Sequence, residues 1–282
     1  MRCLIKIYGV IGDPIAQSMS PIMHNQEIES CQIHAVYHPF HIKPENLQQA
    51  IAGMKAIGIQ GFNVTAPHKT AIMPLLDSID PLAKAIGAVN TVVREEDGSY
   101  RGYNTDGNGY IASLQEAWKE DLTNERVLII GAGGAARAIY YSLVAKGVKN
   151  VDICNRSIDN AQKLIDECPY AGHSQALSLQ IAEEKLDQYS LIIQTTSIGM
   201  YPNILESPIK IDQLSSDAFV SDIIYNPFET QILKEAKQKG AGIQNGLGMF
   251  VYQGALAFKY WFNREPNTER MEKIVAEQLG GK

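Results

Sequence analysis

Arg126-Val-Leu-Ile-Ile-Gly-Ala-Gly-Gly-Ala-Ala-Arg137 decides the fold. Val127 to Ile130 is a short apolar, β-branched run, the composition of a strand buried on both faces of a parallel sheet. Gly131-x-Gly133-x-x-Ala136 follows at once, and Ala138 to Val144 has the composition of a helix. Strand, glycine turn and helix in this order make the phosphate-binding start of a dinucleotide-binding unit. Gly131 permits the tight turn. Gly133 has no Cβ, so a pyrophosphate can approach the backbone. Ala136 is small enough for the helix to pack on the strand. The helix start offers free N–H groups and the positive end of its dipole to the phosphates. A glycine pattern alone also fits a ligand-free turn; the flanking strand and helix carry the nucleotide reading.

The next strand indicates which nucleotide. Asn150 to Cys154 reads as a strand whose tip is Asn155-Arg156-Ser157. In an NAD site an Asp or Glu stands at such a tip and binds the ribose 2′-hydroxyl. This tip has no carboxylate. Arginine pairs with a 2′-phosphate through its fork of donors and stacks on adenine. NADP(H) is therefore expected rather than NAD. The bland alternative for Arg156 is a solvated loop charge. Asp152, within the strand, and Asp159, beyond the tip, are expected to be structural.

The chain has 282 residues, enough for two domains, and its 45% hydrophobic and 20% charged content is ordinary for a soluble globular protein. Lysine plus arginine number 25 against 31 acids, a net charge of −6, which argues against a general nucleic-acid binder. Cysteines 3, 31, 154 and 168 form no C-x-x-C pair, so reduced thiols are expected. The six histidines show no metal-binding spacing, and no metal site is expected. No apolar run reaches the roughly 18 residues a bilayer span needs. Met-Arg-Cys-Leu-Ile-Lys-Ile-Tyr8 has no signal-peptide layout, so the expected location is cytoplasmic.

Strands and helices alternate ahead of the glycine loop, which implies a first α/β domain. Leu4 to Val10 reads as a strand. The loop Ile15 to Pro21 presents Ser18 and Ser20, and Pro21 suits the first position of a helix, which makes Ser20 its expected N-cap. The other reading is that these hydroxyls bind a carboxylate or phosphate. Gly61-Phe-Asn-Val-Thr-Ala-Pro-His-Lys69 follows a strand ending in Asn63 and Thr65. It places Lys69 in the first turn of a helix expected to continue from Ala71 to Ser78. A cation there is disfavoured by the dipole, so Lys69 is either a surface charge or a group with an anionic partner and a proton to move. Ala88 to Val93 reads as a strand with Asn90 and Thr91 among apolar residues; buried, these need partners. Asp106 is expected to cap a helix over Asn108 to Lys119. Tyr170 to Asp187 is ambiguous. Leu191 to Gln194 and Phe219 to Ile224 read as strands, each ending in a polar loop where an α/β sheet binds ligand. Asn245 to Met249 reads as a glycine-rich turn before an apolar helix, Phe250 to Phe262, which carries Gln253. Asn267 to Leu279 reads as a closing helix.

With these stretches in hand, the chain resembles the shikimate dehydrogenase family over nearly its whole length. The motifs that carry the likeness are Ser18-Met-Ser20-Pro21, Asn63-Val-Thr-Ala-Pro-His-Lys69, Gly87-Ala-Val-Asn-Thr91, Asn104-Thr-Asp106-Gly107, Gly131-Ala-Gly-Gly-Ala-Ala136, Asn155-Arg-Ser157 and Gly246-Leu-Gly-Met-Phe-Val-Tyr-Gln253, in the family's order. Asn245 stands where many members have aspartate, beside the expected nicotinamide path, and is expected to alter turnover slightly. Ser157 stands where threonine is common and keeps the hydroxyl.

The resemblance implies NADPH-dependent reduction of 3-dehydroshikimate to shikimate, a step toward chorismate and the aromatic amino acids. It implies that Ser18 and Ser20 hold the substrate carboxylate, that Thr65, Asn90, Gln253 and Tyr225 bind the substrate ring, and that Lys69 and Asp106 flank the reacting oxygen. Gly131, Ala132, Gly133, Gly134, Ala135, Asn155, Arg156, Ser157, Ile223 and Gly246 would contact the cofactor. The implied architecture is a two-domain α/β fold. Residues 1–105, completed by helices within 247–282, form the substrate domain, residues 106–246 form a Rossmann-like NADP domain, and the active site lies in the cleft between them. A monomer or homodimer is expected, with neither nucleic-acid nor membrane partners. Rival readings are a quinate or NAD-using member, a non-catalytic NADPH-binding regulator, and a reductase of another small carboxylate. Lys69 with Asp106 speaks against the second, and Ser18, Ser20, Asn90 and Gln253 together against the third.

Overall fold

Alternating apolar runs and turn residues set up two successions of strand and helix. The computed structural model describes residues 5–280. In chain order the first succession is β1 (Lys6–Gly12), α1 (Ser20–Ser30), β2 (Ala35–His41), α2 (Leu47–Ala56), β3 (Gly61–Val64), α3 (His68–Ala71), β4 (Ser78–Ile79), α4 (Pro81–Ile86), β5 (Thr91–Arg94) and β6 (Tyr100–Tyr103). The second is α5 (Asp106–Ala117), β7 (Arg126–Ile130), α6 (Gly134–Ala145), β8 (Asn150–Cys154), α7 (Ile158–Asp166), β9 (Ala176–Leu177), α8 (Leu179–Glu184), β10 (Leu191–Gln194), β11 (Phe219–Asp222), α9 (Gln231–Gln238) and β12 (Gly242–Gln244). Helices α10 (Leu247–Phe262) and α11 (Thr268–Gln278) follow. The chain divides into two compact units: residues up to Thr105 joined by those from Val251 onward, and Asp106–Phe250.

The first unit holds a mixed sheet in the order β2-β1-β3-β5-β6-β4. β1 runs parallel to β2 and β3, while β3, β5 and β6 pair antiparallel. Side chains alternate across the strands. Tyr8 and Val10 of β1 and Tyr37 of β2 pack with Ile28 of α1 and Phe258 of α10. Ile11 packs instead with Ile51 and Met54 of α2 and with Phe62 and Val92. Helices thus cover both faces.

The second unit holds an all-parallel sheet in the order β12-β11-β10-β7-β8-β9. The chain winds from β7 through β8 to β9, then crosses to β10 and winds the other way. Loops leaving the carboxyl ends of β7 and β10 therefore diverge at a topological switch point, the place where such sheets bind ligands. Val127, Leu128, Ile129, Ile192 and Ile193 are fully buried. Burying each such side chain contributes about 1.5–3 kcal/mol, which is why these central strands read as unbroken apolar runs.

Several local expectations change. The helix after Lys69 stops at Ala71, a 3₁₀ turn spans Met73–Leu75, and Ser78–Ile79 is a strand. Pro74 has no N–H to continue the helix, and its ring would meet the Thr70 carbonyl. α1 starts at Ser20 with Met19 as N-cap, so Ser20 is not the cap. α5 starts at Asp106 itself, so Asp106 lies in its first turn rather than ahead of it. α10 starts at Leu247, which leaves only Asn245 and Gly246 in the expected turn. The ambiguous stretch forms β9 and α8, the latter capped by Ser178 Oγ on the Ile181 N–H. Leu4 and Cys3 lie outside the described residues. Cys31, Cys154 and Cys168 are free thiols. Among the described residues no helix is long and apolar enough to cross a membrane.

Candidate active site

At the switch point Gly131 has φ +108°, a left-handed conformation that favours glycine, and a Cβ there would stand 2.8 Å from Thr195 Oγ1 and 2.9 Å from Thr196 Cγ2. The Gly131 N–H donates to Cys154 O at 2.8 Å, and the Thr195 hydroxyl donates to Ile130 O at 2.7 Å. The turn is thus pinned to both neighbouring strands. Gly133 is the N-cap of α6 and has no side chain to offer the first-turn N–H groups. A Cβ on Gly133 or Gly134 would meet no atom within 4 Å. Packing does not require these two glycines, and the surface they bare is backbone N–H at a helix start. That surface fits a pyrophosphate. Ala132 and Ala135 are half-buried, and Ala136 is buried against the strand.

At the tip of β8, Asn155 Nδ2 donates to Ser157 O at 2.9 Å, and Arg156 and Ser157 are exposed. Asp152 is taken up elsewhere: Oδ1 accepts the Gln175 N–H at 2.9 Å and Oδ2 accepts the Tyr189 hydroxyl at 2.7 Å. The charge the tip presents is therefore that of Arg156.

The carboxyl end of β11 carries a residue to which sequence reading assigned no role. Asp222 is fully buried, and burial raises its carboxyl to about 6 against the pull of Thr230 and the Ile224 N–H. It accepts that N–H at 2.9 Å and the Thr230 hydroxyl at 2.7 Å, and so shapes the loop bearing Ile223 and Tyr225. Gly246 meets this loop closely: its N–H donates to Ile224 O at 2.9 Å, and a Cβ would fall 1.9 Å from Ile223 O. The Tyr225 ring lies 5.4 Å from that of Phe250.

In the first unit, Ser18 Oγ accepts the Ser20 N–H at 3.3 Å. Ser20 is buried, and its hydroxyl reaches the Tyr37 phenol, which burial pushes well above its ordinary value. From there a polar chain crosses the core. Tyr37 Oη donates to Asn63 Oδ1 at 2.7 Å, and Asn63 Nδ2 donates to Thr91 Oγ1 at 3.1 Å and Asn90 O at 3.3 Å. Asn90 Oδ1 accepts the Thr105 N–H at 2.8 Å, and Asn90 Nδ2 donates to Thr105 Oγ1 at 3.0 Å. The Lys69 and Thr65 loop is tied in through its backbone: the Val89 N–H donates to Lys69 O at 2.8 Å, and the Thr65 N–H to Ile11 O at 3.0 Å. Asn63, Thr65, Lys69 and Asn90 thus gather around the carboxyl end of β3.

His24, one turn after Ser20, is fully buried and stacks on Tyr37 with ring centroids 4.4 Å apart; burial lowers it to about 3. Gly254 allows α10 to approach α1 here, since a Cβ would stand 2.4 Å from Met23 Cε. That approach carries Gln253. Lys69 and Asp106 belong to different units, on α3 and at the start of α5. Asn63, Thr105 and Tyr37 went without roles in the sequence reading. For Tyr37 and Asn63 the only signal was polarity within a strand, and for Thr105 its place just before Asp106.

A mixed substrate-type α/β unit, joined to a doubly wound sheet with a phosphate-binding turn and a carboxylate-free ribose tip, defines a dinucleotide-dependent oxidoreductase. Family models match in three places: the shikimate dehydrogenase substrate binding domain over residues 10–92, shikimate / quinate 5-dehydrogenase over 113–217, and the shikimate 5′-dehydrogenase C-terminal domain over 246–276. A shikimate dehydrogenase (NADP(+)) of Bacillus cereus strain AH187 is 56% identical, covering 98% of this chain and 99% of its own. A shikimate dehydrogenase solved in complex with NADP+ is 44% identical, with TM-score 0.89, covering 97% of this chain and 96% of that one. The shikimate 5-dehydrogenase of Listeria monocytogenes, solved with shikimate and NAD, is 33% identical with TM-score 0.91, covering 96% of each chain. The chain belongs to the shikimate dehydrogenase family.

Proposed function

We propose that this chain catalyses the reversible, NADPH-dependent reduction of 3-dehydroshikimate to shikimate, on the route to chorismate and the aromatic amino acids, in the cytoplasm. The observation that carries the reading is the match to an NADP-dependent shikimate dehydrogenase along almost the full length of both chains. When bound, the dinucleotide supplies or accepts the hydride at its nicotinamide ring. The α6 start and Gly133–Gly134 hold its pyrophosphate, Arg156 with Asn155 and Ser157 holds the 2′-phosphate, and Ile223 and Gly246 border the nicotinamide. Ser18 and Ser20 take the substrate carboxylate. Thr65, Asn90, Tyr225 and Gln253 fix the ring hydroxyls. Lys69 gives the carbonyl oxygen its proton, or removes it in reverse, and Asp106 orients that oxygen. One positioned proton donor contributes roughly 10²–10⁴ in rate.

Use of NAD is the second reading, motivated by the NAD bound in the Listeria relative. Arg156 and the absence of a carboxylate at the tip weigh against it. The test offers shikimate and quinate to the purified protein, each with NADP+ and with NAD+, and follows nicotinamide reduction by absorbance. Strong reduction confined to shikimate with NADP+ is expected. Comparable turnover with quinate or NAD+ overturns the assigned specificity, and no turnover in protein that still binds NADPH overturns the enzymatic reading.

A further inference from the structure

Asn245 uses both ends of its side-chain amide. Oδ1 accepts the Leu247 N–H at 3.1 Å and so caps the start of α10. Nδ2 donates to Phe228 O at 3.1 Å, on the loop between β11 and α9. The amide satisfies both partners in one orientation only, because turning it over would set its oxygen against a carbonyl and its NH₂ against an N–H.

The Phe228 bond falls in the middle of that loop. Asp222 holds the loop at its ends, through the Ile224 N–H and the Thr230 hydroxyl. Gly246 holds it at Ile224 O. Asn245 fastens the stretch in between, three residues past Tyr225. An ionised aspartate is acceptor-only: it would keep the helix cap and improve its interaction with the α10 dipole, but would set an oxygen against Phe228 O. Asparagine is the residue that both caps the helix and tethers the loop.

We propose that Asn245 is a positioning residue for the nicotinamide end of the cofactor site, acting through Phe228 O on the loop that carries Ile223 and Tyr225. The inference rests on the NADP reading above. The test is Asn245→Asp, with Asn245→Ser as the second variant, since a serine hydroxyl keeps a cap but is too short to reach Phe228 O. Affinities for NADP+ and for adenosine 2′,5′-bisphosphate, which lacks nicotinamide, are measured by titration beside melting temperature.

Both variants are expected to bind NADP+ roughly threefold to tenfold more weakly, the worth of one hydrogen bond. Affinity for the bisphosphate stays unchanged in both. A role confined to capping α10 would move melting and leave nucleotide affinity alone. Unmoved NADP+ affinity in both variants, or equal losses for the two nucleotides, overturns the proposal while the cofactor reading stands. Failure of the parent protein to bind the bisphosphate overturns the cofactor reading, and this proposal with it.

Discussion

The Tyr37 hydroxyl donates to Asn63 Oδ1 at 2.7 Å, and both side chains are buried. This bond joins the serine loop to the Asn63–Thr91–Asn90–Thr105 chain, which ends one residue before Asp106. Tyr37→Phe removes the donor and leaves Asn63 Oδ1 buried without it, at a cost of about 1–3 kcal/mol. The expected outcome is a lower melting temperature together with a raised KM for shikimate and an unchanged KM for NADP+. Equal changes in both KM values would mean that the chain does not act on the substrate side.

Asp222 gives stability a pH dependence of defined sign. Its folded carboxyl keeps its proton up to about 6, against 3.8 for the free group. Between these values the folded state binds more protons than the unfolded state, so stability falls as pH rises through the window, by up to roughly 3 kcal/mol. Asn at this position can still accept the Ile224 N–H and donate to a reoriented Thr230 hydroxyl. Urea unfolding of Asp222→Asn between about pH 4 and 6 should therefore lack this falling component. An unaltered difference between parent and variant across the window would refute the assignment.

Arg156 is exposed at the β8 tip, with Asp152 committed to Gln175 and Tyr189. Charge-assisted bonds to a phosphate are worth about 1.5–3 kcal/mol. Arg156→Ala should weaken NADPH roughly tenfold to a hundredfold and leave NADH nearly unchanged. Titration with both nucleotides checks it, and equal losses would show that Arg156 does not read the 2′-phosphate.

The nucleotide-binding sheet was legible because its central strands are buried on both faces. Val127–Ile130 and Leu191–Ile193 are continuous apolar runs in sequence and lie within β7 and β10 in the structure. The glycine turn was legible because Gly131 needs a left-handed φ. The 71–78 stretch was not, since apolar content suggested helix while Pro74 ended it. The start of α10 was hidden by Gly246 and Gly248, which read as turn residues although Asn245 caps a helix there. Asp222 and the Tyr37–Asn63–Asn90 chain were out of reach for another reason. Apart from the Ile224 N–H on Asp222, their partners lie 8 to 27 residues away in sequence, and no local periodicity marks them.

In the proposed reaction Lys69 moves the proton while other side chains hold the substrate. The direct measurement is kcat and shikimate affinity, side by side, in Lys69→Ala. A fall in kcat of roughly 10²–10⁴ with shikimate still bound is expected. A near-normal kcat would contradict it.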